Sequence, residues 1–381
     1  MILHAISGLI FLYLLVRLIL TSHVRAAFKC AAGIALFAIS QQHLLLRAFA
    51  GSLASPEAPS WVLILQSLLF ATLLFLFLVV LTRDLVLLVQ YLAKRAIKSP
   101  KPETPGALSP ERRKALLLCF AALPAAYGVK QALALPVTRD MEKVLPGLPA
   151  ELDGLCIAHL SDLHIGPLLQ ESWSAALVEK INDLRPDLIL FSGDIVDGLP
   201  DRRAESVAHL KKLRAVHGIF ACVGNHEYYA NFHAWMKVFP ELGLAMLLNS
   251  HRTVDIKGQK LVIAGLTDPT AASFGLPPPD CRAALRGAPE NVPRILLAHR
   301  PTGAVHNAAF GFSLQLSGHT HGGQILGLDQ FVAQFNGGYL RGWYKAEGMP
   351  LYVNSGAGLW SGFPLRLGVP SEIARITLRR A

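Results

Sequence analysis

The chain divides near residue 136 into an apolar half and a half in which short apolar runs alternate with polar segments. In the first half, the apolar runs cover residues 2–20, 30–50, 61–92 and 115–135. Each is close to or longer than the ~20 residues that a helix needs to cross a bilayer. Residues 41–43 (QQH) interrupt the second run, and Pro124 lies in the fourth, where membrane helices tolerate it. The pattern predicts an all-helical membrane domain of about four transmembrane spans over residues 1–136.

The second half begins with a predicted linker over residues 137–150 and continues as a mixed pattern of strands and helices. Short apolar runs predict strands at residues 156–160, 187–191, 218–223, 260–264, 294–298, 313–316, 351–354 and 373–378. Amphipathic stretches predict helices at residues 172–184, 203–215 and 232–239. This alternation predicts a layered α/β domain, with helices packed on sheets, over residues 151–381.

Composition and charge agree with this division. A hydrophobic fraction of 52% and a mean hydropathy of +0.40 are too high for a soluble protein of 381 residues. Residues 1–150 carry 15 Lys and Arg against 6 Asp and Glu, whereas the remainder carries 21 against 20. A basic excess confined to the apolar half reflects membrane topology, so no nucleic acid partner is expected. The five cysteines form no CxxC pair and indicate neither a disulfide framework nor a thiolate zinc site.

The basic residues of the loops predict an orientation in the membrane. Loop 93–114 holds seven Lys and Arg residues, and loop 51–60 holds none. Because Lys and Arg collect on the cytoplasmic side, loop 93–114 is expected inside and the polar half outside, in a multi-pass protein of the inner or plasma membrane. Arg112 and Arg113 also resemble a twin-arginine export signal, which would put the polar half on the same side.

Polar clusters follow the predicted strands at the positions where α/β folds place their sites. They are SDLH (Asp162, His164), GDIVD (Asp194, Asp197), GNHE (Asn225, His226), AHRP (His299) and GHTH (His319, His321). One cluster alone would suggest a helix cap, a turn or a structural histidine. Five in succession, all made of metal-ligand residue types, indicate one centre. Residues i and i+2 of an extended segment project to one side, and neighbouring glycines let the backbone approach closely.

The motifs Asp-x-His, Gly-Asp-x-x-Asp, Gly-Asn-His-Glu, a single His after a strand and Gly-His-x-His resemble the calcineurin-like metallophosphoesterase superfamily over roughly residues 150–381. Together with the membrane half, LDGLCIAHLSDLHIGPL and GHTHGGQ resemble its branch of transmembrane proteins with a metallophosphoesterase domain. That branch is similar to the UDP-2,3-diacylglucosamine hydrolases of lipid A synthesis. The resemblance implies a β-sandwich flanked by helices.

The resemblance also implies two divalent metal ions and a role for each motif residue. The first ion is assigned to Asp162, His164, Asp194 and His321, and the second to Asp194, Asn225, His299 and His319. His226 becomes the general acid or transition-state stabiliser, with Asp197 as the residue that orients it. Oxygen and nitrogen ligands without thiolate suit Mn²⁺, Fe or Zn²⁺ better than Ca²⁺ and do not select among the three. Two such ions can clamp a phosphoryl group and activate water.

The predicted function is a membrane-anchored, dinuclear-metal phosphoesterase acting on a phosphodiester or pyrophosphate. A phosphorylated lipid or a nucleotide-linked small molecule is the expected substrate. The lipid A reaction occurs on the cytosolic face, which conflicts with the predicted orientation of the polar half. The alternative is a membrane sensor or scaffold whose metal-bound domain binds a phosphate ligand or partner without turnover.

Five further residues have two interpretations each. Arg300 and Arg366 either pair with substrate phosphate or are ordinary ion-paired arginines. Asp268 either lines the cleft or forms a turn, and Trp360 and Phe363 either face an acyl chain or pack internally.

Overall fold

The computed structural model describes residues 2–51, 54–97 and 109–381. Lys98 and Lys101 of the predicted basic loop lie outside these residues. Contacts divide the chain into two compact units, one formed by Met1–Leu53 and Trp61–Lys130 and the other by Ala54–Ser60 and Gln131–Ala381. The second unit therefore includes a short segment of the apolar half.

The first unit is helical throughout its described elements. Its helices are α1 (Ile2–Leu14, continued by a π-helical segment Leu15–Leu20), α2 (Ala26–Ser40), α3 (Gln42–Phe49), α4 (Ser60–Ile97) and α5 (Pro110–Ala132). Within the described residues, only Ser60–Ala93 and Arg112–Ala132 are both long and apolar enough to cross a membrane. The run predicted at residues 30–50 is divided at Gln41, where its polar interruption begins. Two of the four predicted spans thus have support from length and composition, and the other two stay predictions.

Two six-stranded sheets, both mixed, form the centre of the second unit. The first has the order β1 (Val137–Leu145), β12 (Glu372–Arg380), β2 (Cys156–Leu160), β3 (Leu188–Ser192), β4 (Ile219–Cys222) and β5 (Ala245–Met246). The second has the order β10 (Gly342–Ala346), β11 (Met349–Val353), β9 (Leu314–Ser317), β8 (Arg294–Leu297), β7 (Gln259–Gly265) and β6 (Ser250–Ile256). Strands β2, β3 and β4 run parallel, as do β7, β8 and β9, so their carboxyl ends gather at one edge of each sheet.

Alternate side chains of the central strands pack into different cores. Leu190 of β3 lies with Ile295 and Leu316 of the second sheet in a core shared by both sheets. Its neighbour Phe191 lies in a core with Trp235, on the helical side of the first sheet. The helices of this unit are α6 (Glu171–Asp183), α7 (Pro200–Ala208), α8 (Asn225–Tyr229), α9 (Phe232–Glu241), α10 (Cys281–Ala284), α11 (Ala304–Ala308) and α12 (Asp329–Phe335). The expected α/β architecture is confirmed.

The structure corrects the predicted boundary between linker and domain. Residues 137–150 contain β1, which pairs in parallel with β12 from Val137↔Glu372 to Leu145↔Arg380. β1 is an edge strand, and most of its side chains are exposed or only partly buried. Charged residues therefore occupy much of its length, and β1 lacks the continuous apolar run by which a central strand is predicted. The helix predicted at residues 203–215 also ends early, since α7 gives way to a 3₁₀ turn at His209–Lys212.

Candidate metal centre

The predicted ligands lie in loops at the carboxyl ends of the strands, and most of these loops are strained. Five ligand residues have positive φ: Asp162 (54°), His164 (47°), Asp194 (52°), His319 (72°) and His321 (49°). This left-handed region is uncommon for residues other than glycine, and such residues cluster at functional sites. Two glycines make the close approach possible. A Cβ atom at Gly318 would overlap Ser161 and Asp162, and one at Gly224 would overlap the Asp194 carboxylate.

The first ligand group consists of Asp162, His164 and His321, all buried. The Nε2 atoms of His164 and His321 are 3.3 Å apart. His321 Nε2 lies 3.5 Å from Asp162 Oδ1. The backbone N–H of His319 donates to Asp162 Oδ2 at 3.0 Å, which ties the loop after β9 to the loop after β2. Two imidazole nitrogens and a carboxylate oxygen thus face a common point.

The second ligand group consists of Asp194, His299 and His319. His299 Nε2 lies 3.1 Å from Asp194 Oδ2 and 3.2 Å from His319 Nδ1. His299 Nδ1 donates to the carbonyl oxygen of Ser192 at 2.8 Å, which directs its other ring nitrogen toward the group. Asn225, at the first turn of α8, is buried but makes no hydrogen bond with His299 or His319 in the described part of the chain.

Asp194 faces both groups. Its Oδ2 is 3.1 Å from His299 Nε2 and 3.8 Å from His164 Nε2. Its Oδ1 accepts the backbone N–H of His226 at 2.8 Å, which fixes the carboxylate. The Asp194 carboxylate thus lies between the two groups of candidate ligand atoms.

His226 and His164 share the carboxylate of Asp197. Asp197 Oδ1 lies 2.6 Å from His226 Nδ1 and 3.2 Å from His164 Nδ1. The shared acceptor places hydrogen on Nδ1 of both rings and leaves both Nε2 atoms for other partners. Burial opposes ionisation of Asp197, yet His164 and His226 hold its pKa well below the usual range. Burial alone would lower the pKa of His226, but Asp194 and Asp197 outweigh it and raise that pKa to about 9.

The donor set fits divalent cations. The donor atoms of each group lie within 4.8 Å of one another, and individual pairs are 3.1 to 3.9 Å apart. Two nitrogen ligands of a tetrahedral Zn²⁺ with bonds of 2.0–2.1 Å would be about 3.3–3.4 Å apart. Burial lowers the pKa of His319 and of His321 well below the usual value, which gives the neutral imidazole that metals bind. Burial and the neighbouring Asp194 raise the pKa of Asp162. Two buried carboxylates that repel each other call for a cation between them.

Glu227 is a functional residue to which the sequence assigned no role. Its fully buried carboxylate accepts the backbone N–H groups of Gly224 and Ile195, both at 2.7 Å, of Asp194 at 3.0 Å and of Val196 at 3.3 Å. Burial and Asp194 raise the pKa of Glu227 to about 7. Glu227 therefore joins the loops after β3 and β4. The available signal was its spacing, since a Glu three residues after a helix N-cap is typical of a capping box.

Comparison with known proteins supports one family. The family profile described as calcineurin-like phosphoesterase matches residues 156–323. A transmembrane protein with metallophosphoesterase domain from Danio rerio is 32% identical over 298 residues, which cover 76% of this chain and 68% of that protein. The chain belongs to the calcineurin-like metallophosphoesterase family.

Two further relatives are similar over much of this metallophosphoesterase. The protein of the same description from Bos taurus is 30% identical over 283 residues, 71% of this chain and 63% of that protein. An uncharacterized metallophosphoesterase of Helicobacter pylori (strain ATCC 700392 / 26695) is 36% identical over 253 residues, 66% of each chain. The chain thus spans about two thirds of the length of these relatives.

The two candidate phosphate-binding arginines of the metallophosphoesterase differ in environment. Arg300 is partly exposed, and its guanidinium donates to Asp268 Oδ2 at 2.9 Å and to Thr270 Oγ1 at 3.0 Å. Its Nη2 lies 3.5 Å from Asn225 Oδ1, at the edge of the predicted second metal site. Asp268 pairs with Arg300 and caps the following turn by accepting the Thr270 N–H, which supports the turn interpretation.

Arg366 is fully buried and therefore does not meet substrate. It donates to the carbonyl oxygens of Ser355 at 2.7 Å, Gly358 at 2.8 Å and His321 at 3.2 Å. Burial lowers its pKa to about 10, against the charge of Asp162. The interpretation of Arg366 as a phosphate ligand is wrong, and its role is to hold the His321 loop.

Proposed function

We propose that this metallophosphoesterase hydrolyses phosphodiester or pyrophosphate bonds with two divalent cations. Asp162, His164, Asp194 and His321 would hold one cation, and Asp194, Asn225, His299 and His319 the other. The observation that carries the proposal is the position of Asp194 Oδ2 between the two ligand groups. When bound, the cations would neutralise the charge of a phosphoryl group and activate water.

His226 is the proposed proton donor to the leaving oxygen. Asp194 and Asp197 raise its pKa against the effect of burial, and its Nδ1 is engaged by Asp197. Nε2 is then the atom available to a substrate oxygen. A positioned general acid contributes about 10²- to 10⁴-fold to the rate. Asp197 acts through His226 by fixing the orientation of its ring.

Apolar side chains near His226 support a lipid-linked substrate. The ring of Tyr229 packs edge-on against that of His226, with centroids 5.5 Å apart. Phe274 packs beside Tyr229, and both side chains remain about half exposed, at 46% and 49%. Exposed aromatic side chains next to a polar centre are suited to the apolar portion of an amphiphile.

Helix α12 offers a second apolar surface near the ligand loop after β9. Arg341 ties the two together, because its Nη1 donates to the Gly322 carbonyl at 2.5 Å and to Asp329 Oδ2 at 2.9 Å. On this helix Phe331 is 63% exposed and Phe335 85% exposed. We propose that acyl chains of a phosphorylated lipid contact these surfaces. A nucleotide-linked diacylglucosamine is one candidate within this class.

The membrane location is proposed from three observations. Relatives from Danio rerio and Bos taurus are described as transmembrane proteins. Two helices of this chain are long and apolar enough to span a bilayer. The basic loop at residues 93–114 favours an extracytoplasmic catalytic unit in a multi-pass protein of the cell membrane.

The experiment is hydrolysis of a phosphodiester with an alkyl leaving group, whose alkoxide must be protonated, by the full-length protein, stripped of metal and reloaded with Mn²⁺, Fe²⁺ or Zn²⁺. His226→Asn should keep its metal content and lose about 10²- to 10⁴-fold in kcat. Asp194→Asn should lose metal. His233→Asn, at an exposed histidine, is the matched control. Parental turnover by His226→Asn would refute its role, and a metal-loaded parent that binds phosphate without hydrolysis would favour the sensor or scaffold.

A further inference from the structure

The segment Ala54–Ser60, here termed the inter-helix loop, lies between α3 and the body of α4 in the chain. It clusters with Gln131–Ala381 and not with the helical unit on either side of it in sequence. Pro56 is buried, and Ser60 Oγ accepts a hydrogen bond from Gln170 Nε2 at 3.2 Å. The inter-helix loop is therefore docked on the catalytic unit.

Glu57 of the inter-helix loop pairs with two arginines at the start of α7. Its carboxylate accepts from Arg203 Nη2 at 2.5 Å and from Arg202 Nη1 at 3.3 Å. The two arginines differ in environment, since the Arg203 side chain is 9% exposed and that of Arg202 is 59% exposed. In the described residues Glu57 is the only carboxylate paired with Arg203. A buried guanidinium that loses its counterion is costly, whereas an exposed one is not.

Arg203 connects Glu57 to the backbone of Asp197. Its Nε donates to the Asp197 carbonyl at 2.8 Å. Gly198, with φ of +85°, follows in the same turn, and a Cβ there would overlap both Glu57 and Arg203. Trp235 Nε1 donates to the Gly198 carbonyl at 3.0 Å. The turn is thus held from one side by Arg203 and Trp235, while the Asp197 carboxylate holds His226 on the other.

We infer that Glu57 is a positioning residue for phosphoester hydrolysis and that the inter-helix loop completes the support of the Asp197–His226 pair. Without Glu57, Arg203 turns toward solvent, the Asp197 carbonyl loses its donor, and His226 loses its fixed orientation. This inference rests on the proposed function. It also requires the inter-helix loop and the metal centre to lie on one face of the membrane. The two candidate spans between them, Ser60–Ala93 and Arg112–Ala132, return the chain to that face.

The kinetic experiment compares Glu57→Ala, Glu57→Gln and Arg202→Ala in the full-length, metal-loaded protein with a phosphodiester that has an alkyl leaving group. Glu57→Ala should lower kcat about 10- to 100-fold, as loss of an outer support of a catalytic group does. KM should stay within about twofold of the parent, because Glu57 and Arg203 are not proposed to contact substrate. Metal content is matched between the variants before kcat is compared, because Asp197 also holds the predicted ligand His164. Glu57→Gln keeps an oxygen for Arg203 and should lose less. Added acetate should restore part of the turnover of Glu57→Ala.

Two controls separate positioning from loss of an ordinary ion pair. Arg202→Ala removes the exposed partner of Glu57 and should change kcat by less than about threefold. Glu142→Gln removes a surface pair with Arg379, whose Nη2 lies 2.6 Å from Glu142 Oε1, and should behave like the parent. If Glu57→Ala matches Arg202→Ala, the positioning role is refuted. A parent that hydrolyses nothing refutes the proposed function instead.

Docking has its own measurement, which does not depend on activity. The variants are Pro56→Cys, at a buried position, and Pro59→Cys, at an exposed one. Each is treated with maleimide, and mass spectrometry measures the labelling of the peptide that contains the new cysteine. The new thiol of Pro56→Cys should be protected in the folded protein, and that of Pro59→Cys should react. Equal reaction rates in both variants would show an undocked loop and overturn the inference, even if Glu57→Ala failed to fold.

Discussion

Replacing Arg366 tests whether its buried charge stabilises the fold or binds substrate phosphate. Arg366→Met keeps a long side chain but removes every donor. The carbonyls of Ser355, Gly358 and His321 then lose hydrogen bonds of 2.7, 2.8 and 3.2 Å. A buried polar group without a partner costs about 1–3 kcal/mol. The His321 carbonyl also accepts from Gln324 N–H at 3.2 Å, so in the described residues only the Ser355 and Gly358 carbonyls lose their sole donor. Even at the lower limit, these two carbonyls cost about 2 kcal/mol, a large part of the 5–15 kcal/mol by which domains are typically stable.

The assay is urea unfolding of the metal-free protein, combined with the metal content and KM of the metal-loaded protein. The free energy of unfolding should fall by about 2 kcal/mol or more. Metal content should fall too, because the backbone of the ligand His321 is one of the groups released. Arg286→Met, at an exposed arginine, is the control and should leave both unchanged. An Arg366→Met variant as stable as the parent, with only a raised KM, would restore the phosphate-binding interpretation and refute the structural one.

Two other predictions concern substrate and location. Replacing both Phe331 and Phe335 by Ser should remove apolar contact area. The ratio of kcat/KM for a pyrophosphate-linked lipid in vesicles to kcat/KM for bis(p-nitrophenyl) phosphate should then fall roughly tenfold. If this ratio is unchanged, acyl chains do not bind on α12. On intact cells, a membrane-impermeant maleimide should label the variants Pro59→Cys and Val216→Cys at the substituted position, and should label Ser109→Cys there only after permeabilisation. Labelling in the opposite order would reverse the topology, and different labelling of Pro59→Cys and Val216→Cys would contradict the docked inter-helix loop.

The central strands could be predicted from sequence because both of their faces are buried. β2 has the predicted bounds, β8 ends one residue earlier than predicted, and β9 is shifted by one residue at each end. The edge strands β1, β6 and β10 were missed, since their exposed side chains are polar or mixed and interrupt the apolar runs. The second apolar run gave two short helices, because a single polar interruption was enough to divide it.

The site shows the same division between local and long-range information. The ligand candidates could be selected because each motif is short and follows a strand. The sequence did not reveal the roles of Glu227, Arg366 and Glu57. Each of these side chains acts on backbone atoms or on groups that are distant in the chain. Glu57, for example, lies 146 residues from Arg203. Sequence patterns show which side chains are suited to bind a metal, whereas the residues that hold those side chains are defined by tertiary contacts.

The strain in the ligand loops explains why such supporting residues are needed. Asp162, His164, Asp194, His319 and His321 all have left-handed backbone conformations, each at a cost on the order of 1 kcal/mol or more. Together they would consume much of the stability of a typical domain unless other contacts offset them. Glu227 supplies acceptors to the loop that carries Asp194, and Arg366 supplies donors to the loop that carries His321. Both side chains are fully buried, where a charged hydrogen bond is stronger than at the surface. A substitution at either position should therefore let its loop relax out of the left-handed conformation. The relieved strain would offset part of the lost hydrogen-bond energy, and the geometry of the predicted ligands would be lost.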